Sequence, residues 1–261
     1  MKNRDRIIRY YKGSDNGELV ARLIDLADSV AKGRPYAVSE FVTPGAVQIG
    51  ETIQASAPGI ELRVFGGYEG AERVKLAFVQ SGYGGTIDYG IVACRVSWDA
   101  RYRLLSHRDV LGSLMGLGID RSRFGDIIMA EDGAIILADM PLLTYLKQNF
   151  LKIAMVHVTV DGMELSLIAP KEEKVKEIKT TVASMRLDAI ASSGFGISRT
   201  KAAEAIKGDR VQVNWQTAKG PSQEIQEGDV ISLRGKGRME MVTITGTSRK
   251  GRIGVLLRRY M

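Results

Sequence analysis

The chain has a single cysteine, Cys94, in 261 residues. One thiol excludes an internal disulfide framework and any Cys-x-x-Cys metal site. Histidine is nearly as scarce, with only His107 and His157, so no zinc cluster is expected. No run of about 18 apolar residues occurs, and no membrane span is expected. The opening stretch, MKNRDRIIRYYKGSDNG, lacks the apolar core of a signal peptide. Catalytic signatures are missing as well: there is no P-loop, no G-x-S-x-G and no H-E-x-x-H. The glycine pairs Gly66-Gly67 and Gly84-Gly85 and the GFG at 194–196 lack the strand and glycine spacing of a dinucleotide loop. His107, at a helix start, reads as a capping or packing residue, and Cys94 as core. These absences lead us to expect a cytoplasmic protein with no catalytic residue, metal or cofactor; a monomer is expected as well.

What is present is an uneven charge. The formal net charge is +7. Residues 183–261 hold 14 lysines and arginines against 7 acidic residues, whereas residues 1–182 hold 23 of each sign. The whole basic excess sits in the C-terminal segment, which points to a polyanionic partner for that segment.

Periodicity and turn residues divide the chain into three small α+β domains with one linker. Residues 1–79 read as an N-terminal α/β domain. A leucine-striped helix follows Gly17, a turn falls at Thr43-Pro44-Gly45, a second helix spans 46–57, and a strand spans 60–65. Residues 80–168 show strands at 89–98, 126–129, 134–137 and 153–160, with helices at 107–119 and 140–150. A hairpin turn is expected at Glu131-Asp132-Gly133. This order, β-α-β-β-α-β, is that of a ferredoxin-like, RRM-like plait, although the paired aromatics of an RNA-recognition sheet are missing. Residues 169–182, highly charged after Pro170, read as a linker or a solvated helix. Residues 183–261 form the third domain.

In that third domain, Arg186–Ser193 and a segment capped by Ser198 read as two short helices, the first broken by Gly194 and Gly196. Val211 and Val213 alternate as a strand. With the apolar faces turned inward, Arg186, Arg199, Lys201, Lys207 and Arg210 remain outside. Arg234-Gly235-Lys236-Gly237-Arg238 reads as a hairpin tip carrying three cations. These eight residues are the candidate RNA-binding set, with Arg186, Arg199, Lys201 and Lys207 expected on one face. The residues Arg186, Leu187, Asp188, Ser198, Arg199, Ala202, Val211, Val213, Asn214, Glu227, Gly228, Asp229 and Ile231 resemble the alpha-L motif, the RNA-binding domain first seen in ribosomal small-subunit protein four. The resemblance implies RNA contact through Arg186, Arg199 and the basic position Lys207; the tip cations follow from charge and glycine flexibility.

Two further stretches, GGYEGAER at 66–73 and LLSHRDVLGSLMGLGIDRSRFGDIIM at 104–129, resemble the bacterial YlmH family. The resemblance implies an RNA-binding protein of the large ribosomal subunit, contacting rRNA and also tRNA, in the rescue of stalled translation. A cell-division gene neighbourhood gave that family its name, and some relatives carry a photosystem label. The alternative class is an RNA-modifying enzyme, since alpha-L domains often accompany such enzymes. The sole R-L-D here belongs to the alpha-L motif itself, and no methyltransferase-type glycine loop follows a first strand.

Overall fold

The stripe on the first helix decides how the N-terminal part packs. In the computed structural model, which describes residues 17–99, 105–130, 132–169, 175–248 and 251–260, helix α1 (Gly17–Ala31) buries Val20, Leu23, Ile24, Ala27 and Val30. Helix α2 (Pro44–Ala55) starts where a turn was expected, with Thr43 at its N-cap and Pro44 in its first turn. Proline's fixed φ suits that first position, so the same residue that suggested a turn starts a helix. Both helices pack on an antiparallel sheet of β1 (Tyr36–Val42), β3 (Val74–Gln80) and β2 (Ile60–Phe65), in that spatial order.

The β-α-β-β-α-β region forms an antiparallel four-stranded sheet in the order β5 (Phe124–Ala130), β6 (Gly133–Asp139), β4 (Ile91–Ser97) and β9 (Thr159–Met163). This is the split βαβ arrangement. Helices α3 (His107–Met115) and α4 (Leu142–Asn149) seal one face, packing Val110, Leu114 and Leu146 onto Cys94, Val96 and Ile136. Ser106 and Asp109 close a capping box at the start of α3. His107 is exposed beside that cap and does not form it. The strand expected at 153–160 is instead a small ribbon, β7 (Lys152–Ile153) with β8 (Val156–His157), followed by β9. Of the expected hairpin turn, Glu131 lies outside the described residues. Gly133 is needed for strand approach, since a Cβ there would strike the Val96 carbonyl.

The second face of this sheet is also buried. Phe41 from β1, Tyr68 and Ile168 pack on Ile91, Ala93 and Leu137. Gly125 permits this closeness, because a Cβ there would lie 2.7 Å from the Phe41 ring. Asp139 at the end of β6 pairs with Lys75 Nζ (2.7 Å) and Arg123 Nε (2.7 Å). RRM sheets leave this face open so that aromatic residues can stack on bases; here it is core.

Residues 1–171 form one compact unit and residues 172–261 another. The second unit holds a six-stranded sheet in the order β10 (Val175–Val182), β15 (Ile253–Tyr260), β14 (Gly237–Thr247), β13 (Val230–Leu233), β11 (Val211–Val213) and β12 (Gln216–Thr217). The expected linker is therefore corrected over 175–182, which pair along their whole length with β15; residues 170–174 lie outside the described residues. Helix α5 (Leu187–Phe195) runs through Gly194 and ends at Gly196, which adopts a left-handed conformation (φ 64°). Gly194 is a packing residue, because a Cβ there would strike Met239 Sδ. Helix α6 (Arg199–Lys207) starts at Ser198, whose Oγ accepts from Lys201 N at 3.2 Å. Ala202, Ala205 and Ile206 join Leu187, Ile190, Phe195, Met239 and Leu257 in one core.

Candidate nucleic-acid interface

Asp188 sits in the first turn of α5, where a carboxylate suits the positive end of the helix dipole. Main-chain bonds fix this turn, from Leu187 N to Gln223 O (2.8 Å) and from Asp188 N to Pro221 O (3.1 Å). The Asp188 side chain is only 7% exposed, and two arginines converge on it. Arg186 donates from Nε to Oδ1 (3.2 Å) and from Nη2 to Oδ2 (3.0 Å). Arg199 donates from Nη2 to both oxygens, at 3.1 and 3.2 Å. Burial alone would raise the Asp188 pKa, but hydrogen bonds and charge from the two guanidiniums outweigh it and hold the carboxyl below its ordinary value. The arginines stay accessible, their side chains 41% and 52% exposed.

The other expected cations do not share this surface. Ala202, Ala205 and Ile206 mark the buried stripe of α6. At about 100° per residue, Lys201 lies about 200° around the helix from Arg199, on the opposite flank of that stripe. Lys207 lies about 80° from Arg199 but two turns along, in the last turn. Both lysines are exposed. The expectation of one face holding Arg186, Arg199, Lys201 and Lys207 therefore narrows to the pair Arg186 and Arg199.

A second group forms where the chain leaves α6. Arg234 N donates to Arg210 O at 3.0 Å, so the β13–β14 turn lies beside the α6–β11 junction. Arg210, Arg234 and Lys236 are exposed there. Arg238, read as part of the tip, belongs to β14, adjacent to the buried Met239. Its guanidinium lies 4.6 Å from the Tyr260 ring centroid, on the sheet face turned away from the helices. Arg259 was missed by sequence reading. It follows the inward-facing Val255 and Leu257 on β15, lies over the Phe195 ring at 5.6 Å, and donates to Lys236 O at 3.1 Å. The signal that could have found it is that two-residue alternation.

The remaining alpha-L residues act on the backbone. Asn214 and Trp215 take positive φ in a two-residue turn between β11 and β12. Asn214 Nδ2 donates to Asp229 Oδ1 (2.7 Å), and its Oδ1 accepts from Val230 N (2.9 Å). Glu227 Oε1 accepts from Thr243 Oγ1 and Ile244 N. These contacts staple β11, β13 and β14 and so fix the platform under α5 and α6.

Residues 185–231 match the S4 domain model, and residues 85–167 match the model described as "Putative RNA-binding domain in YlmH". The chain thus carries a domain similar to the RNA-binding domain described for YlmH, followed by an S4 domain. A curated relative, "Ribosome-associated protein quality control protein P2" of Bacillus subtilis, is 29% identical over 223 residues, covering 85% of this chain and 86% of that one. The small ribosomal subunit protein uS4 of Desulfotalea psychrophila is 43% identical over 54 residues, 20% of this chain and 26% of that one. Among solved structures, "Cell division protein ylmH" from Streptococcus pneumoniae is 19% identical with a TM-score of 0.49, covering 59% of this chain and 94% of that one.

In the YlmH-type unit, the two stretches that carry the resemblance meet in a cleft of about 510 Å³ lined by Tyr68, Arg73, His107, Arg121 and Asp126, among others. Asp126 accepts from Tyr68 Oη (2.8 Å), Glu72 N (2.7 Å) and Arg73 N (3.0 Å). Arg73 donates to the Phe124, Phe41 and Arg121 carbonyls, and Arg121 to those of Phe124 and Gly125. The GGYEGAER and G-D-I-I segments are thus two halves of one joint. Among the described residues, no helix is long and apolar enough to cross a membrane.

Proposed function

We propose that this chain is a non-catalytic, cytoplasmic, monomeric RNA-binding protein. It engages rRNA of the large ribosomal subunit, with peptidyl-tRNA as a second contact, in the rescue of stalled translation. The observation that carries this reading is the pair Arg186 and Arg199, exposed on their outer edges and held by one buried carboxylate at the head of an S4-type helix pair. Double-stranded RNA offers phosphates and 2′-hydroxyls in a shallow groove, which fixed cations suit better than a base-reading helix. The named role of the Bacillus subtilis relative, similar over most of both chains, supports the ribosomal setting. In the finer domain reading, an N-terminal α/β domain at 1–79 and a plait at 80–168 meet at the Asp126 joint, and residues 183–261, with β10 completing the sheet, carry the RNA contact. A pseudouridine synthase would need a catalytic aspartate in its R-L-D; Asp188 is instead committed to two guanidiniums.

Cosedimentation with purified large subunits at moderate salt tests the reading. Arg199→Ala should weaken binding by about 1–3 kcal/mol, and Lys201→Ala by less. A variant lacking Arg186, Arg199 and Lys207 that cosediments like the parent chain would overturn it.

A further inference from the structure

We infer that Asp188 is a positioning residue for RNA, holding Arg186 and Arg199 as a preformed fork for one backbone phosphate. The inference rests on the RNA reading above and deepens it.

A carboxylate beside an RNA surface should, on charge alone, oppose binding. It removes one of the two positive charges that the arginines supply. The geometry argues for the opposite sign. Asp188 is buried and its backbone is tied to Pro221 O. Its two oxygens take Nε and Nη2 of Arg186 and Nη2 of Arg199. Each guanidinium carries five N–H donors in a fixed plane. The Arg186 Nη1 donors, and Nη1 and Nε of Arg199, remain outside these bonds to Asp188. A phosphate can accept in parallel from such planar edges. Long side chains lose rotamer freedom on binding, and holding them in place beforehand removes that cost from the association step. The fork is thus built on a helix start and an inter-element bond, and does not have to assemble on the ligand.

The two views predict opposite signs for Asp188→Asn, which keeps the shape and removes the charge. Full-length chain is titrated onto purified large ribosomal subunits, and onto naked large-subunit rRNA, at fixed salt. Asp188→Asn should bind roughly fivefold or more weakly, because the fork loosens. In a background of Arg186→Ala with Arg199→Ala, the same substitution should have no further effect, since Asp188 acts through those side chains. Tighter binding by Asp188→Asn would show a charge that merely opposes RNA and overturn the inference. An equal loss in the double-alanine background would show a defect in folding and overturn it too. A parent chain that binds neither probe would overturn the RNA reading itself, and this inference with it.

Discussion

Two aspartates in this chain each work with two arginines, to opposite ends. At Asp126 the carboxylate accepts from main-chain N–H groups and the Tyr68 hydroxyl, while Arg73 and Arg121 spend their donors on main-chain carbonyls. Burial, then the charge of Arg121, push the Arg73 pKa down to about 10. At Asp188 the carboxylate takes the guanidiniums themselves and leaves their outer edges exposed. An arginine bonded to carbonyls on several sides is scaffold. An arginine held by one edge keeps its remaining donors available for a ligand. Residue type and net charge are the same in both places; what differs is where the donors go.

The largest effect expected from this contrast is on stability. Asp126→Ala leaves two N–H groups and a phenol without their acceptor, and should cost roughly 2–4 kcal/mol in urea unfolding of the unit spanning residues 1–171. Asp126→Asn keeps only part of the acceptor capacity and should fall between. Neither should change rRNA affinity of the folded protein. If Asp126→Ala unfolds normally yet weakens RNA binding, the assignment of this joint to scaffolding is wrong.

Local signals made the second helix of the alpha-L pair legible, above all Ser198 at its cap. The β-α-β-β-α-β order was legible for the same reason. Contacts between distant segments were not. Nothing in Ile91–Ser97 shows that Phe41 and Tyr68 will cover its second face. The charged residues of 175–182 concealed a strand because an edge strand carries charge on its open side; its pairing is set by Ile253–Tyr260, more than seventy residues later. The family resemblance marked Asp188, Arg186 and Arg199 by position. That one carboxylate would hold both arginines required the α5–α6 packing. Spreading four cations over one face ignored the 200° rotation between Arg199 and Lys201, which elementary helix geometry already contained.

A smaller effect should appear in acid. The folded-state pKa of Asp188 lies below its unfolded value, ordinarily about 3.9. Its contribution to stability is therefore fully present above that unfolded value and is lost as pH falls through the depressed one. The difference in urea midpoint between the parent chain and Asp188→Asn should be constant from about pH 8 to 5 and shrink below about pH 4. A difference that widens in acid would mean that the protonated carboxyl is the stabilising form, and the ion-pair account would fail.

The smallest effect should come from the hairpin turn. Arg234 and Lys236 are exposed, and among the described residues neither side chain has an ion pair comparable to the Asp188 fork. Arg259 anchors the Lys236 carbonyl and not its ammonium. Such cations meet phosphate only after losing rotamer freedom, so each adds counterion release and little else. The pair Arg234→Ala and Lys236→Ala should reduce affinity for large-subunit rRNA only a few-fold at physiological salt, and lower the slope of log affinity against log salt by about 1–2. Arg199→Ala should change the affinity more, with a slope change of about 1, because the anchored guanidinium adds directed hydrogen bonds to its charge. If the turn variant loses more affinity than Arg199→Ala, then anchoring by a buried carboxylate is not what separates a binding arginine from a solvated one in this domain, and the contrast between the two aspartates loses its functional half.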